Sequence, residues 1–263
     1  MSALTLSIIT VCYNARDTLQ KTLENVLQQT FVHFEYLVID GGSDDDTLSL
    51  LKQFSRQFSA AQIPFQYVSE PDHGIYDAMN KGTRIAKGNW LLFLNAGDLL
   101  ADDQVLEHIF LASPKGQILY GDTVCVYQGN TRLYPALPLD RLVHEMSFCH
   151  QSAFIKRELL LERPYDISYR VCADHVFFLS MYLQKTVFEY YPIPIAVYEI
   201  SGYSDVNKLL SHHEKHRMQK ELKVFHPNLR WLLCEIRFYL IQGIKTVFGQ
   251  KLIDLVRKNR LRS

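Results

Sequence analysis

Phe34-Glu35-Tyr36-Leu37-Val38-Ile39-Asp40-Gly41-Gly42-Ser43-Asp44-Asp45-Asp46-Thr47 is the stretch that sets the fold. Phe34 to Asp40, apolar and rich in aromatic and β-branched residues, reads as a strand. The glycines make a turn, and Asp44 begins a helix that runs to Phe58, with Asp44 to Asp46 placed to cap it. Asp40 is thereby left at the carboxyl end of a strand.

The same rhythm extends in both directions. Leu4 to Val11 reads as a strand, and Asp17 to Gln29 places Leu19, Leu23, Val26 and Leu27 at helical spacing. Phe65 to Ser69 and Trp90 to Asn95 follow as strands around a helix from Ile75 to Ala86. Strands separated by helices predict an α/β fold with a mainly parallel sheet, helices on both faces and ligands at the carboxyl ends of the strands.

Beyond Asp98 the pattern loosens. A helix is expected over Asp102 to Leu111, strands around Gln117 to Tyr127, and a loop at Pro135 and Pro138. A strand from His150 to Lys156, a helix from Asp174 to Gln184 and a strand from Val187 to Tyr198 broken by Pro192 and Pro194 complete this half. From Asp205 the chain reads as two helices separated near Pro227, the second being Leu229 to Val256. The expected division is a catalytic domain over 1–204, with halves 1–100 and 101–204, and a helical extension over 205–263.

Twenty-eight basic residues balance 28 acidic ones over 263 residues, but not evenly. Arg230 to Ser263 holds eight basic and two acidic residues, leaving an acidic body. A basic end of this kind suits an anionic membrane surface better than nucleic acid. Glu235, Arg237 and Lys245 interrupt its apolar run, so two readings stand: an interfacial amphipathic helix, or a helix packed on the body. Five scattered cysteines without a CxxC pair read as reduced thiols, and the amino terminus lacks a secretion signal, so a cytoplasmic protein is expected.

Three features bear on chemistry. The first strand is followed by Cys12-Tyr13-Asn14-Ala15-Arg16 in place of GxGxxG, and no GxxxxGK[ST] loop occurs, which argues against nicotinamide, flavin and P-loop chemistry. Asp40 could accept the ring N–H of uracil or guanine. Asn95-Ala96-Gly97-Asp98, ending an apolar strand, could place a carboxylate on a divalent cation that bridges diphosphate oxygens. The cluster His212-His213-Glu214-Lys215-His216 reads as a solvated helix face.

Four segments in this order resemble the family 2 glycosyltransferases, an inverting family with the GT-A fold: Ile8 to Asn14, Asp40 to Thr47, Glu70 to Gly82 and Phe93 to Asp98. The similarity points to the branch that builds exopolysaccharide, capsule or lipopolysaccharide, and continues more weakly through His150-Gln151 and Ala173-Asp174-His175. It implies that Thr10, Tyr13, Asn14 and Asp40 hold the nucleoside side of a nucleotide-sugar donor, a UDP-sugar first. Asp77, Asn80, Lys81 and Asn95 would line the donor pocket. Asp98 would take Mn²⁺ or Mg²⁺, although Asn95 and Gly97 stand where the family often has aspartates. Asp174 resembles the general base, and His150 and Gln151 are candidates to meet the acceptor or the diphosphate, with His150 open also to a metal contact or to a core histidine bonded to backbone. The acceptor implied is a saccharide or lipid-linked saccharide hydroxyl. The alternative is a non-catalytic nucleotide-sugar-binding subunit that kept the fold.

Overall fold

The computed structural model describes residues 4–127, 129–199, 207–225, 227, 233 and 235–240. The chain divides into two compact units, Met1–Met218 and Gln219–Ser263.

In the first unit, β1 (Leu6–Cys12), β2 (Phe34–Asp40), β3 (Phe65–Ser69) and β4 (Trp90–Phe93) pair in parallel in the order β3-β2-β1-β4. Every residue of β1, β2 and β4 is buried, as expected of a parallel sheet covered on both faces. On one face, α1 (Arg16–Leu27) turns Leu19, Leu23 and Val26 inward and α2 (Thr47–Ala60) turns Leu50, Leu51, Phe54 and Phe58 inward. These join Ile8, Tyr36 and Val38 in one apolar cluster. Each such side chain contributes about 1.5–3 kcal/mol on burial. On the other face lies α3 (Ile75–Ile85). A Cβ at Gly82 would stand 2.7 Å from Ile9 Cγ2, so glycine lets this helix sit directly on the sheet.

The strand order reverses between β1 and β4, and the crevice beyond their carboxyl ends is where a ligand fits such a sheet. The loops after β1, β2, β3 and β4 converge there.

The second half continues the sheet with mixed directions. β5 (Leu99–Leu100) and α4 (Val105–Leu111) are followed by β6 (Ile118–Tyr127) and β7 (Asn130–Tyr134). β8 (Ala153–Lys156) runs antiparallel between β4 and β6, while β9 (Phe188–Glu199) is parallel to β6 and pairs with β5. The strand expected from His150 begins only at Ala153, because His150–Ser152 form a 3-10 turn. Pro192 and Pro194 do not end β9. They fall where its register with β6 shifts around Asp122, so the missing donors break no ladder bond that the bulge had not already broken. Gly121 faces this bulge, and a Cβ there would lie 2.8 Å from the carbonyls of Tyr191 and Ile193.

After β8 come α5 (Arg157–Glu162), α6 (Ala173–Leu183) and, beyond β9, α7 (Lys208–Glu221). His213 in α7 is exposed, but the expectation of a solvated face fails at Glu214 and Met218, which are buried. Cys12, Cys125, Cys149 and Cys172 form no disulfide among the described residues. Within the expected second helix, 235–240 are helical, and the remainder of the basic end over 230–263, apart from 233, lies outside the described residues. No helix among the described residues is long and apolar enough to cross a membrane.

Candidate active site

Two cavities meet at the crevice. One of about 680 Å³ lies beyond β1 and is lined by Cys12, Tyr13, Asp72, Asp77 and Tyr169 among others. The second, about 700 Å³, is lined by Asp98, Tyr134, Phe148, His150, Gln151 and Asp174. Ile75, Tyr76, Asn95, Ala96 and Arg170 border both.

The first wall is built from short-range bonds. Asp40 is fully buried, and its carboxylate accepts from the Gly42 and Ser43 amides at 3.2 and 3.0 Å and from Ser69 Oγ at 2.6 Å. The Ser43 hydroxyl donates to its other oxygen, and the Cys12 thiol approaches the same atom. Asp40 therefore anchors its own turn to β1 and β3. Thr10 is also fully buried, donating to the Leu94 carbonyl at 2.6 Å and bonded to the Tyr36 hydroxyl, and it borders neither cavity. Asn14, at φ 47°, receives the Asp44 amide on Oδ1 and gives its own amide to Ser43 Oγ. Capping of α2 falls to Asp45, whose carboxylate accepts from the Thr47 and Arg16 amides.

Tyr13, 64% exposed, forms the lip of the first cavity. Beside it stands Asp72, whose Oδ1 accepts from the Gly74 amide at 2.8 Å. A Cβ on Gly41 would lie 2.7 Å from Asp72 Oδ2 and 3.4 Å from the Tyr13 ring, so the absence of a side chain at 41 makes room for this carboxylate. Asp77 accepts from the His73 amide and borders the cavity, whereas Lys81 bonds the Pro71 carbonyl and Glu70 outside it. Asn80 is buried and exchanges two hydrogen bonds with the Tyr165 backbone, at 2.8 and 3.0 Å, tying the two halves together.

The turn after β4 is fixed by Thr22, whose hydroxyl donates to the Asp98 carbonyl while accepting the Gly97 amide, with Gly97 at φ 101°. Asp98 is 6% exposed and faces the second cavity. Burial pushes its carboxyl up to about 7, although the Gln151 amide, 3.1 Å from Oδ2, opposes the shift. Asn95 Oδ1 is buried with no hydrogen-bond partner among the described residues. A carboxylate and an unsatisfied carbonyl oxygen on one turn form the donor set a hard divalent cation prefers, and a nearby dication would also favour ionised Asp98. The residues fit Mn²⁺ or Mg²⁺, with one carboxylate only.

Asp174 lies in the first turn of α6, and its Oδ1 accepts from the Tyr76 hydroxyl and the His175 amide, both at 2.8 Å. It does not cap its helix, whose N-cap position is Cys172. Oδ2 has no protein donor among the described residues. Burial beside Asp174 pushes the Tyr76 phenol well up, so it remains an O–H donor. His150 is buried, stacks on Phe93 and shares a 2.8 Å hydrogen bond with the Tyr165 hydroxyl; burial lowers its pKa and keeps it neutral.

Four contributors were not singled out from the sequence. Asp72 and Tyr76 fall inside the Glu70 to Gly82 segment, where only position in the strand-turn-helix could have marked them. Arg170 lies in an irregular stretch. Glu214 is 6% exposed and accepts the amides of Arg170, Val171 and Cys172 at 2.7, 2.9 and 3.0 Å, a clamp from α7 that no local pattern announces.

Comparison with known proteins places this geometry. Residues 7–184 match the model of glycosyl transferase family 2. A PGL/p-HBAD biosynthesis glycosyltransferase from Mycobacterium tuberculosis is 34% identical over 211 residues, which cover 78% of this chain and 81% of the relative. A putative teichuronic acid biosynthesis glycosyltransferase, TuaG of Bacillus subtilis, is 27% identical over 139 residues, covering 52% of each chain. The crystal structure of S. aureus TarS 1–349 in complex with UDP is similar at a TM-score of 0.63 and 18% identity, covering 82% of this chain. This chain spans 64% of that one, less than two thirds. Mannosyltransferase PcManGT from Pyrobaculum calidifontis, in complex with GDP-Man and Mn²⁺, also gives a TM-score of 0.63, at 16% identity with 85% and 65% coverage. With the family model matching residues 7–184, more than half its length, the chain belongs to glycosyltransferase family 2.

Proposed function

We propose that the protein is an inverting transferase that moves a sugar from a nucleotide diphosphate donor, a UDP-sugar first, to a hydroxyl of a saccharide or lipid-linked saccharide in bacterial surface-glycan assembly. The observation that carries this is the Tyr76–Asp174 pair beside two adjoining cavities of about 680 and 700 Å³, which we read as the donor and acceptor sites. The names of the mycobacterial and Bacillus relatives support a surface glycan, and the nucleotide-sugar complexes of the structural neighbours support the donor class.

Residues 1–100 would hold the donor and 101–204 the acceptor. Tyr13 supplies a face on which a base can stack, and Asp72 Oδ2 supplies the acceptor for a ring N–H. Asp40 and Asn14 act from behind by fixing the turn beside Tyr13, and Thr10 ties β1 to β2 and to the end of β4. Asp77 and Asn95 border the donor, while Asn80 and Lys81 hold the segment that carries Tyr76.

In the reaction, Asp174 Oδ2 takes the proton of the acceptor hydroxyl as its oxygen forms a bond to the anomeric carbon. The bond from that carbon to the diphosphate breaks, and its electron pair leaves with the nucleoside diphosphate. Tyr76 keeps its proton and orients Asp174 through Oδ1. Asp98 and Asn95 would hold a divalent cation, which when bound supplies Lewis-acid stabilisation of the departing diphosphate. Gln151 positions Asp98, and His150 forms a neutral wall of the acceptor cavity.

Calorimetry of UDP, GDP, dTDP and ADP, each with and without Mn²⁺, tests the donor reading. Manganese-enhanced binding of one of the first three is expected, and binding of none would sink it. The basic end over 230–263 is proposed to keep the enzyme at the inner face of the cytoplasmic membrane. Truncation at 229 should lower partitioning onto phosphatidylglycerol vesicles at low salt, and unchanged partitioning would remove that role.

A further inference from the structure

Inverting transfer leaves two negative phosphates to be stabilised as the sugar departs, and this chain offers only one carboxylate, Asp98, in the Asn95 to Asp98 turn to hold a metal. The charge must be met by something else as well.

Arg170 is placed for it. Among the described residues lining the first cavity it is the only lysine or arginine, and it also borders the second, so it stands at the seam where a donor's diphosphate and an acceptor would meet. Its side chain is exposed and has no hydrogen bond or ion pair among the described residues. An arginine engaged only in holding the fold would have a carboxylate or carbonyl at its guanidinium. The nearby carboxylate, Glu214, takes the Arg170 main-chain amide at 2.7 Å and leaves the guanidinium unengaged.

The backbone beneath Arg170 is held on both sides. Glu214 also accepts the next two amides, and the preceding Tyr169 is covered by the Arg217 guanidinium, 4.2 Å above its ring. Arg217 further bonds Ser168 Oγ at 2.8 Å. A fixed backbone carrying an unengaged planar cation suits bidentate recognition of phosphate oxygens, which arginine does and lysine does only as a point charge.

We propose that Arg170 binds the donor's diphosphate and stabilises the charge that grows on it as the bond to the anomeric carbon breaks, with Glu214 as its positioning residue. This rests on the nucleotide-sugar reading above, and the experiment separates the two. Affinities of UDP, UMP and uridine, with GDP, GMP and guanosine as a second series, are measured for the wild-type protein, Arg170→Ala and Arg170→Lys in Mn²⁺. Arg170→Ala should weaken the preferred diphosphate roughly 10- to 100-fold and the nucleoside less than about twofold, with Arg170→Lys between. Because the side chain is exposed, both variants should fold as wild type. An unchanged diphosphate affinity overturns the proposal, as does an equal loss for the nucleoside, which would mean that Arg170 shapes the pocket. If the wild-type protein binds neither series and does not bind dTDP, the donor reading itself fails and takes this assignment with it.

Discussion

The two walls of the site are held together by different kinds of contact. On the side proposed for the donor, many polar groups find partners close by in the chain, Asp40 with Gly42 and Ser43, Asp72 with Gly74, Asp45 with Thr47, Asp77 with His73, and longer bonds join them, Asn14 to Asp44 across 30 positions and Ser69 to Asp40 across 29. On the acceptor side, the key bonds span the sequence. Tyr76 reaches Asp174 across 98 positions, Gln151 reaches Asp98 across 53, and Glu214 reaches Arg170 across 44. A wall rich in local bonds is set largely by its own strands and turns; a wall that rests on distant ones forms only when the whole unit closes. Changes in the donor wall should therefore act on binding at the altered point, and changes in the acceptor wall on chemistry.

The largest expected effect tests that division directly. Asp174→Asn removes the proposed base but keeps an oxygen able to accept from Tyr76. The kcat for transfer should fall about 10²- to 10⁴-fold, with the affinity for UDP within about twofold of wild type. Loss of UDP binding in step with turnover would show that the walls are not separable. Transfer at the wild-type rate would remove Asp174 as the base.

A smaller effect is expected from Asp98, where the turn after β4 carries an acceptor-side bond. Its folded pKa is raised to about 7 by burial, so between roughly pH 4 and 7 the native state holds a proton that the unfolded chain gives up. Stability without metal should thus fall as pH rises through that window, and the loss should be complete above it. Asp98→Asn removes the proton. The difference between the two proteins in urea denaturation should be small near pH 4 and reach on the order of 2–4 kcal/mol in favour of Asp98→Asn at pH 8. Mn²⁺ should recover wild-type stability at pH 8 and leave the variant unchanged. A difference independent of pH would mean that Asp98 is not held neutral by the fold.

The same contrast explains what was legible in the sequence. Strand and helix periods in residues 4–100 are regular because each element buries a continuous face, and β2, β3 and α3 lie close to where the pattern puts them. Asp174 and Asp98, which both line the second cavity, could be marked as candidates because they sit at element ends within recognisable segments. Asp40 was legible as a strand-end carboxylate, but the number of donors gathered on it was not, since Ser69 joins only when β3 pairs with β2. Glu214 was illegible for the opposite reason. Its neighbours His212, His213, Lys215 and His216 are polar, and only the folded position of Arg170 to Cys172 turns one carboxylate of that run inward. Pattern reading finds what a residue's own element dictates and misses what a distant loop demands of it.

Asp72 and Asp40 give the finest test, because both are carboxylates of the donor wall and both could meet a base. Asp40 is buried with each oxygen already engaged, whereas Asp72 stands beside Tyr13 with Oδ2 free of protein donors among the described residues. If local bonding commits Asp40 to the turn, Asp72→Ala should weaken uridine and UDP alike, by about tenfold, and leave the denaturation midpoint near wild type. Asp40→Ala should lower stability by about 1–3 kcal/mol through the donors it strands. Should Asp72→Ala bind uridine as wild type does, base recognition must lie elsewhere in the wall. Opening of the Asp40 turn on nucleotide binding would then be the mechanism to pursue, and the donor side would prove less prearranged than its short-range bonds imply.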